Sequence, residues 1–175
     1  MRRRLPVLLL LVSAASFSTL SAQAPREDRT TREVRHELLM LPRYGVFDHL
    51  AFKIEKGTVT LLGQVRTSIL KSDAERVVKD VEGVENVVNQ IELLPPSSTD
   101  DRIRLAAYRA VYRHDALETR YATQSIPPIH IIVKNGHVTL EGVVDSQMDK
   151  TVATMQARGV SGVFSVTDNL QVEKQ

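Results

Sequence analysis

The sequence predicts an α+β fold of two tandem αββαβ units, each a small three-stranded mixed sheet with two helices packed on one face. The main observation is an internal repeat at a fixed offset of 79 residues. Gly-Thr-Val-Thr-Leu-Leu-Gly at 57–63 returns as Gly-His-Val-Thr-Leu-Glu-Gly at 136–142. Residues 56–93 and 135–172 align without a gap, which indicates one supersecondary unit used twice. Within each copy, runs of strand period alternate with runs of helical period.

Residues 1–24 have the pattern of a secretory signal peptide and are expected to lie outside the fold. Three arginines at 2–4 precede an apolar stretch at 5–12, and the small-x-small pattern at 22–24 fits a cleavage site. The alternative is a membrane anchor, but the apolar stretch is too short for a spanning helix. We therefore expect an exported, periplasmic protein that is soluble after signal cleavage.

Charge and cysteine content exclude several classes of function. Loss of the three signal arginines takes the formal net charge from +2 to −1, so the basic isoelectric point is no reason to expect nucleic-acid binding. The chain has no cysteine, which excludes disulfides, thiolate chemistry and a lipoprotein anchor. The fold must therefore be stabilised by its hydrophobic core.

The first unit is predicted at 25–94 and opens with a helix. Thr30 or Thr31 is placed to cap this helix, and Pro42 ends it. Residues 50–65 then alternate between apolar and polar side chains around a Lys-Gly turn. This alternation predicts a β-hairpin with one apolar face.

A second helix and a third strand complete the first unit. The helix starts at Ser68 with apolar residues at the spacing of a single face, and 84–93 is predicted as the strand. Because the helix joins strands two and three, we expect a crossover packed on one face of the sheet. The prolines and serines at 95–99 predict a short linker.

The second unit is predicted at 100–175 with the same order of elements. Its first helix is expected at 100–114. The Asn-Gly dipeptide at 135–136 is a strong signal for a type I′ turn between two strands. A helix at 146–158 and a strand at 163–172 complete the unit.

The second hairpin and the closing strand resemble the BON domain family, which is named for bacterial osmotic-shock and nodulation proteins. The pattern Ile-x-Val-x-Asn-Gly-x-Val-Thr-Leu-x-Gly-x-Val spans 131–144, and Gly-Val-Phe-Ser-Val-Thr-Asp-Asn-Leu-Gln-Val spans 162–172. The first unit fits the family at 54–65 and 83–93, with Gln-Ile at 90–91 in place of the usual Asn-Leu pair. The resemblance covers nearly the whole predicted fold.

The resemblance implies an exported protein without enzymatic activity and without a cofactor. The family is associated with maintenance of the cell envelope, osmotic stress and attachment to phospholipid membranes. The resemblance also implies that the family's glycines serve turns and close backbone approaches. These structural turn glycines are Gly57, Gly63, Gly83, Gly136, Gly142 and Gly162.

The histidines are the obvious candidates for catalysis or metal binding. With the predicted turn, His130 pairs with Glu141, and Lys134 pairs with His137. These side chains would form either a weak metal site or an exposed polar sheet face, and the distance between His130 and His137 favours the polar face. The sequence has no nucleophile elbow and no phosphate-binding loop. We therefore predict no catalytic site, no bound metal and no cofactor.

The first helix of the second unit carries a stripe suited to binding. Leu105, Tyr108 and Tyr112 lie in line, opposite the helix face that should meet the sheet. Four arginines flank this stripe: Arg102, Arg104, Arg109 and Arg113. Aromatic side chains beside arginines suit contact with anionic headgroups. Alternatively, the connection at 115–128 or the first unit covers the stripe.

These observations leave three hypotheses for function. The first is a non-enzymatic envelope protein that contacts anionic phospholipid through the second unit and supports envelope integrity or osmotic-stress tolerance. The second is a periplasmic adaptor that binds another envelope protein through the stripe or through an exposed sheet edge. The third, an unrecognised hydrolase or metalloprotein, has no supporting motif. Neither nucleic acid nor a small-molecule substrate is expected as a partner.

Overall fold

The computed structural model of the chain describes residues 29–124 and 126–173, and the predicted signal peptide at 1–24 lies outside the described residues. The first unit contains helices α1 (Arg29–Leu39) and α2 (Ser68–Lys79) and strands β1 (His49–Glu55), β2 (Thr58–Val65), β3 (Asn86–Asn89) and β4 (Glu92–Leu93). The second unit contains helices α3 (Ser98–Tyr112), α4 (Asp115–Leu117) and α5 (Gln147–Arg158), a π-helix (Glu118–Ala122), and strands β5 (Ile129–Lys134), β6 (His137–Val144) and β7 (Ser165–Val172). No helix in these ranges is long and apolar enough to cross a membrane.

Strands β2 and β6 occupy the same position in their two sheets. Strand β2 pairs antiparallel with β1 and parallel with β3 and β4, and β6 pairs antiparallel with β5 and parallel with β7. The pairings keep the sequence offset, since Phe52 lies opposite Leu61 and Ile131 lies opposite Leu140. The predicted α+β class and the predicted tandem repeat are confirmed.

The third strand of the first unit is interrupted, which the sequence analysis did not predict. The ladder between β2 and this strand skips Gln90 and Ile91, whereas β6 and β7 pair without a break. The Ile91 N–H bonds to the Asn89 side chain at 3.1 Å, as the equivalent Leu170 N–H of β7 bonds to the Asp168 side chain at 3.0 Å, and the Ile91 side chain is buried like that of Leu170. The interruption falls at the two residues where the sequence departs from the family pattern.

The first helix of each unit begins earlier than predicted. Thr30 lies inside α1, and its hydroxyl donates to the Glu82 carbonyl at 3.2 Å, so this residue fastens α1 to the loop after α2. Helix α3 begins at Ser98 because the Ser97 hydroxyl accepts a hydrogen bond from the Asp100 N–H at 3.2 Å. The last two residues of the predicted linker are therefore helical.

Each unit has its own hydrophobic core, and one segment of the first unit joins the second core. Val46 and Phe47, in the loop before β1, pack against the core of the second unit. The Ile131 N–H, at the outer edge of β5, donates to the Val46 carbonyl at 2.7 Å. The two units are therefore in direct contact, and the loop of the first unit lies against the outer strand of the second.

Candidate functional site

The predicted Leu105–Tyr108–Tyr112 stripe is not a continuous surface in the structure. Tyr112 is only 2% exposed, and its hydroxyl donates to the Ile129 carbonyl at 2.7 Å and accepts from the Ile129 N–H at 2.9 Å. Burial raises the pKa of the Tyr112 hydroxyl, so it stays neutral and serves as both donor and acceptor. Tyr112 belongs to the core, which corrects its predicted role as a contact residue.

Tyr108 and Leu105 lie progressively nearer the surface. The half-buried Tyr108 ring packs edge-on against Phe47 with 6.0 Å between ring centroids, and it lies 5.0 Å from Tyr112. Leu105 is 48% exposed. The first unit therefore covers part of the stripe, and Leu105 keeps the largest exposed fraction of the three.

The predicted role of Arg104 as a contact residue is also corrected, because its side chain is only 4% exposed. One guanidinium nitrogen donates to the Val133 carbonyl at 2.6 Å, and another donates to the Asp101 carboxylate at 2.6 Å. Two nitrogens of the buried guanidinium are thus paired, as a buried charge requires, whereas its Nε has no hydrogen-bond partner among the described residues. Arg104 fixes α3 to the edge of β5 and is not available to a partner.

The remaining predicted arginines form an exposed group, here called the arginine row: Arg102, Arg109 and Arg113. Residues seven and eleven positions apart lie on nearly the same side of an α-helix. Leu105 lies beside the row. In the described part of the chain, neither Arg109 nor Arg113 forms an ion pair, and Arg102 approaches only the Thr99 hydroxyl at 3.4 Å. The row is an exposed positive surface on one helix.

The connection after α3 is ordered by a buried carboxylate that the sequence analysis missed. Asp149 accepts hydrogen bonds from the Tyr121 hydroxyl at 3.0 Å and from Arg120 at 2.8 Å. Tyr121 also accepts from the Asp145 N–H at 2.9 Å. The capping sequence at 146–149 was the available signal, because Ser146 caps α5 through the Asp149 N–H. These bonds fix the connection to the start of α5, and its Leu117 and Tyr121 side chains lie in the same core as Tyr112.

Two histidines lie at the contact between the units. His130 is 7% exposed, its ring stacks on Tyr44 at 5.3 Å between centroids, and its Nδ1 lies 3.3 Å from the Gly45 carbonyl oxygen. The His49 ring, on β1 of the first unit, lies 6.2 Å from the His130 ring between centroids. The predicted pairing of His130 with Glu141 is confirmed. The predicted exposed polar face is wrong at His130, because the first unit covers it.

The surroundings of both histidines favour the neutral ring. Burial, with the nearby His49, lowers the pKa of His130 below its ordinary value of 6.5. Burial also lowers the pKa of His49, although the charge of Glu141 opposes this shift. Both rings therefore act at neutral pH as uncharged packing and hydrogen-bonding groups.

Acidification is expected to weaken the contact between the units. Because docking lowers both histidine pKa values, the contact is fully stabilised above about pH 6.5 and loses stability as the pH falls below that value. Urea unfolding of the wild type at a series of pH values should show this loss. The His49→Gln, His130→Gln double variant should lack that part of the pH dependence. If the free energy of unfolding falls equally with pH below about 6.5 in the wild type and in the double variant, the expectation is contradicted.

The other histidines with partners make local contacts. His114 caps α4 by accepting the Ala116 N–H at 3.3 Å, and His137 Nδ1 lies 2.7 Å from the Ser165 hydroxyl on the surface. Within residues 29–124 and 126–173, no group of three or more histidine, aspartate or glutamate side chains is placed to hold a metal ion.

The six turn glycines share one backbone property. All have φ between 77° and 123°, a range that disfavours other residues: Gly57, Gly63, Gly83, Gly136, Gly142 and Gly162. A Cβ atom at position 142 would lie 1.9 Å from the Pro128 carbonyl oxygen, and one at position 63 would lie 2.1 Å from the His49 carbonyl oxygen. Gly142 and Gly63 permit the backbone of the neighbouring strand to approach.

Comparison with known proteins gives one family and a few relatives. A family model described as BON domain matches residues 27–95 and 114–174. Osmotically-inducible protein Y of Escherichia coli (strain K12) is 28% identical over 126 residues, which cover 71% of this chain and 62% of that protein. The chain thus spans less than two thirds of this relative. The arginine row lies between the two matched segments.

The similarity to solved structures is weak. Two structures of CdsD, a structural protein of the type III secretion system of Chlamydia trachomatis, align over 82% of this chain. The two alignments cover 92% and 96% of the CdsD chains, at 14% and 16% identity, with TM-scores of 0.31 and 0.28. Scores this low carry no argument about function.

Proposed function

The chain belongs to the BON domain family, and from this premise we propose that it is a non-enzymatic, exported envelope protein that associates with anionic phospholipid surfaces. The predicted signal sequence at 1–24 supports export. The similarity to an osmotically-inducible protein supports a role in osmotic-stress tolerance, and the predicted export supports a role in the periplasm and in envelope integrity. The histidine contacts support a non-enzymatic protein, because His130 and His114 have structural partners.

The observation that carries the lipid proposal is the arginine row with Leu105 beside it. Each arginine near an anionic membrane surface contributes about 1 kcal/mol. Leu105 adds apolar area that leaves water on insertion, at about 25 cal/mol per Å². A helix face with basic residues around an apolar side chain is suited to the membrane–water interface.

The two acidic residues in the first turn of α3 both have partners within the second unit. Asp100 is buried and accepts the N–H groups of Asn135 and Gly136 at 2.9 and 2.8 Å. Asp101 pairs with the buried Arg104. The Asp100 carboxylate is therefore withdrawn from the surface, whereas the Asp101 side chain is paired with Arg104 but remains 59% exposed.

A vesicle flotation assay tests the proposal directly. The protein should float with vesicles that contain phosphatidylglycerol and should remain behind with pure phosphatidylcholine. High salt should weaken the association, because screening shortens the reach of the arginine charges. Equal binding to neutral vesicles, or no binding to anionic vesicles at low salt, would contradict the proposal.

Charge reversal within the row should weaken this association. Arg109→Glu with Arg113→Glu removes two favourable contributions of about 1 kcal/mol each, so the affinity should fall by at least about thirtyfold at low salt. The matched control is Lys56→Glu with Arg158→Glu, which changes the net charge equally at exposed positions outside the row. Equal losses in the two double variants would show that net charge, and not the row, governs binding.

A protein adaptor remains the second candidate function. One observation favours it, namely an outer strand edge in the first unit that is left open in the described part of the chain. This edge lies in a different unit from the arginine row, so the two functions are separable by mutation.

A further inference from the structure

On the outer edge of the second sheet, three alternate residues of β5 have outward backbone groups that are already hydrogen-bonded. The Tyr112 hydroxyl bonds to both backbone groups of Ile129. The Val46 carbonyl accepts from the Ile131 N–H at 2.7 Å, and Arg104 donates to the Val133 carbonyl at 2.6 Å. These contacts occupy groups that would otherwise be open to another strand.

The outer edge of the first sheet lacks most of this protection. The residues of β1 equivalent to Ile129, Ile131 and Val133 are Leu50, Phe52 and Ile54. In the described ranges, β1 pairs only with β2, and no group meets the outward backbone of Phe52 or Ile54. The first unit therefore presents an open strand edge.

An apolar groove of about 480 Å³ lies beside this edge, between α1 and β1. Thr31 and Arg35 contribute to its lining, which otherwise consists of Leu38, Leu39, Tyr44, Leu50, Ala51, Phe52 and Ile54. Phe52 and Ile54 are only half-buried, whereas their counterparts Ile131 and Val133 are fully buried. In the second unit, the longer connection at 113–128 supplies Leu117 and Tyr121 to the core. The shorter connection at 40–48 leaves the groove open.

We propose that the β1 edge and this groove bind an extended apolar segment of another polypeptide by strand addition, with an aromatic side chain in the groove. The protein contains a template for this contact at β5. There the Val46 carbonyl pairs with the edge, and Phe47 packs against the core beside it. The internal repeat places the same kind of edge at Phe52, with no chain segment on it among the described residues.

The chemistry of the site favours a polypeptide over two other occupants. A lipid acyl chain would fill the groove but would leave the outward N–H and C=O of Phe52 without partners when water is excluded. A second copy of this chain, paired antiparallel through its own β1 and centred on Phe52, would place two Lys53 side chains diagonally on one sheet face. Like charges in that position disfavour self-pairing.

The first test uses a labelled peptide with the sequence Tyr-Gly-Val-Phe-Asp-His, copied from 44–49, with blocked termini. It should bind the full chain saturably, and hydrogen exchange of the Phe52 amide should slow at least tenfold. A peptide with serine in place of the valine and phenylalanine should bind at least tenfold more weakly. Saturable binding without protection of the β1 amides would overturn the proposal, as would the absence of binding.

A matched pair of variants tests the groove without disturbing the core. Leu39 lines the groove and is 44% exposed, whereas the adjacent Met40 is 66% exposed and lies outside the lining. Leu39→Glu should weaken peptide binding at least tenfold, and Met40→Glu should leave it unchanged, with both unfolding normally. Equal losses of peptide binding in the two variants would overturn the proposal. Displacement of the peptide by a fatty acid would also overturn it, as would a wild-type dimer that is lost in Leu39→Glu. A failure here leaves lipid association intact, because the arginine row is on the second unit.

Discussion

Gly142→Ala is expected to lower the free energy of unfolding by on the order of 3 kcal/mol. The residue has φ of 123°, and a Cβ atom there would lie 1.9 Å from the Pro128 carbonyl oxygen. Neither atom can move away easily, since the backbone at 142 pairs with Ile129 in the sheet. Urea denaturation monitored by circular dichroism measures the loss.

Gly159→Ala provides the control for this substitution. Gly159 ends α5 with φ of −74°, and the nearest atom to an added Cβ would be 3.6 Å away. The free energy of unfolding should therefore stay within about 0.5 kcal/mol or rise slightly, because alanine restricts the unfolded chain. Gly63→Ala should behave like Gly142→Ala, since its Cβ would lie 2.1 Å from the His49 carbonyl oxygen. Similar small changes in all three variants would contradict the close-approach account.

Asp100→Ala is expected to cost about 3 kcal/mol or more, because hydrogen bonds to a charged group contribute about 1.5–3 kcal/mol each. The buried carboxylate accepts the Asn135 N–H at 2.9 Å and the Gly136 N–H at 2.8 Å. It thereby ties the start of α3 to the turn between β5 and β6. Chemical denaturation gives the loss of stability, and hydrogen exchange at positions 135 and 136 should accelerate together with it.

Asp115→Ala serves as the control for Asp100→Ala. Asp115 also lies in the first turn of a helix, but its side chain is exposed. Its replacement should change the free energy of unfolding by no more than about 0.5 kcal/mol, as is usual for surface substitutions. An Asp100→Ala variant as stable as Asp115→Ala would show that water replaces the carboxylate without cost.

The strand pairing could be predicted from the sequence because its determinants are local. The Asn135-Gly136 turn, with φ of 52° and 80°, together with the apolar alternation sets the register of β5 and β6. The repeat then transfers the same register to β1 and β2. Asp100 was missed because nothing in the local sequence links a helix carboxylate to a turn 35 residues further along the chain.

The exposure of the candidate site could not be predicted from one helix alone. A helical wheel places Tyr112 and Arg104 away from the sheet-facing side, yet both side chains bond to the edge of β5. The docking of Phe47 on Tyr108 and the burial of His130 depend on contact between the units. Such contacts join residues far apart in the chain, and amphipathic periodicity contains no information about them.

The two units expose different surfaces. The second unit has a protected strand edge and an exposed arginine row, whereas the first unit, within residues 29–124, has an open strand edge beside a groove with a mostly apolar lining. The repeated elements provide the same scaffold in both units. These two surfaces differ because of the first helix and the connection that follows it, where the second unit has α4 and the π-helix.

The most direct test of the lipid proposal is tryptophan fluorescence, because the chain has no tryptophan of its own. Leu105→Trp places the probe beside the arginine row, and Ile69→Trp places it on α2 of the first unit. The two original side chains are 48% and 51% exposed. On addition of phosphatidylglycerol vesicles, emission from Leu105→Trp should shift to the blue and be quenched by brominated lipid, while emission from Ile69→Trp should not change. A shift confined to Ile69→Trp, or no shift in either variant while the protein is bound to vesicles, would contradict the proposed contact surface.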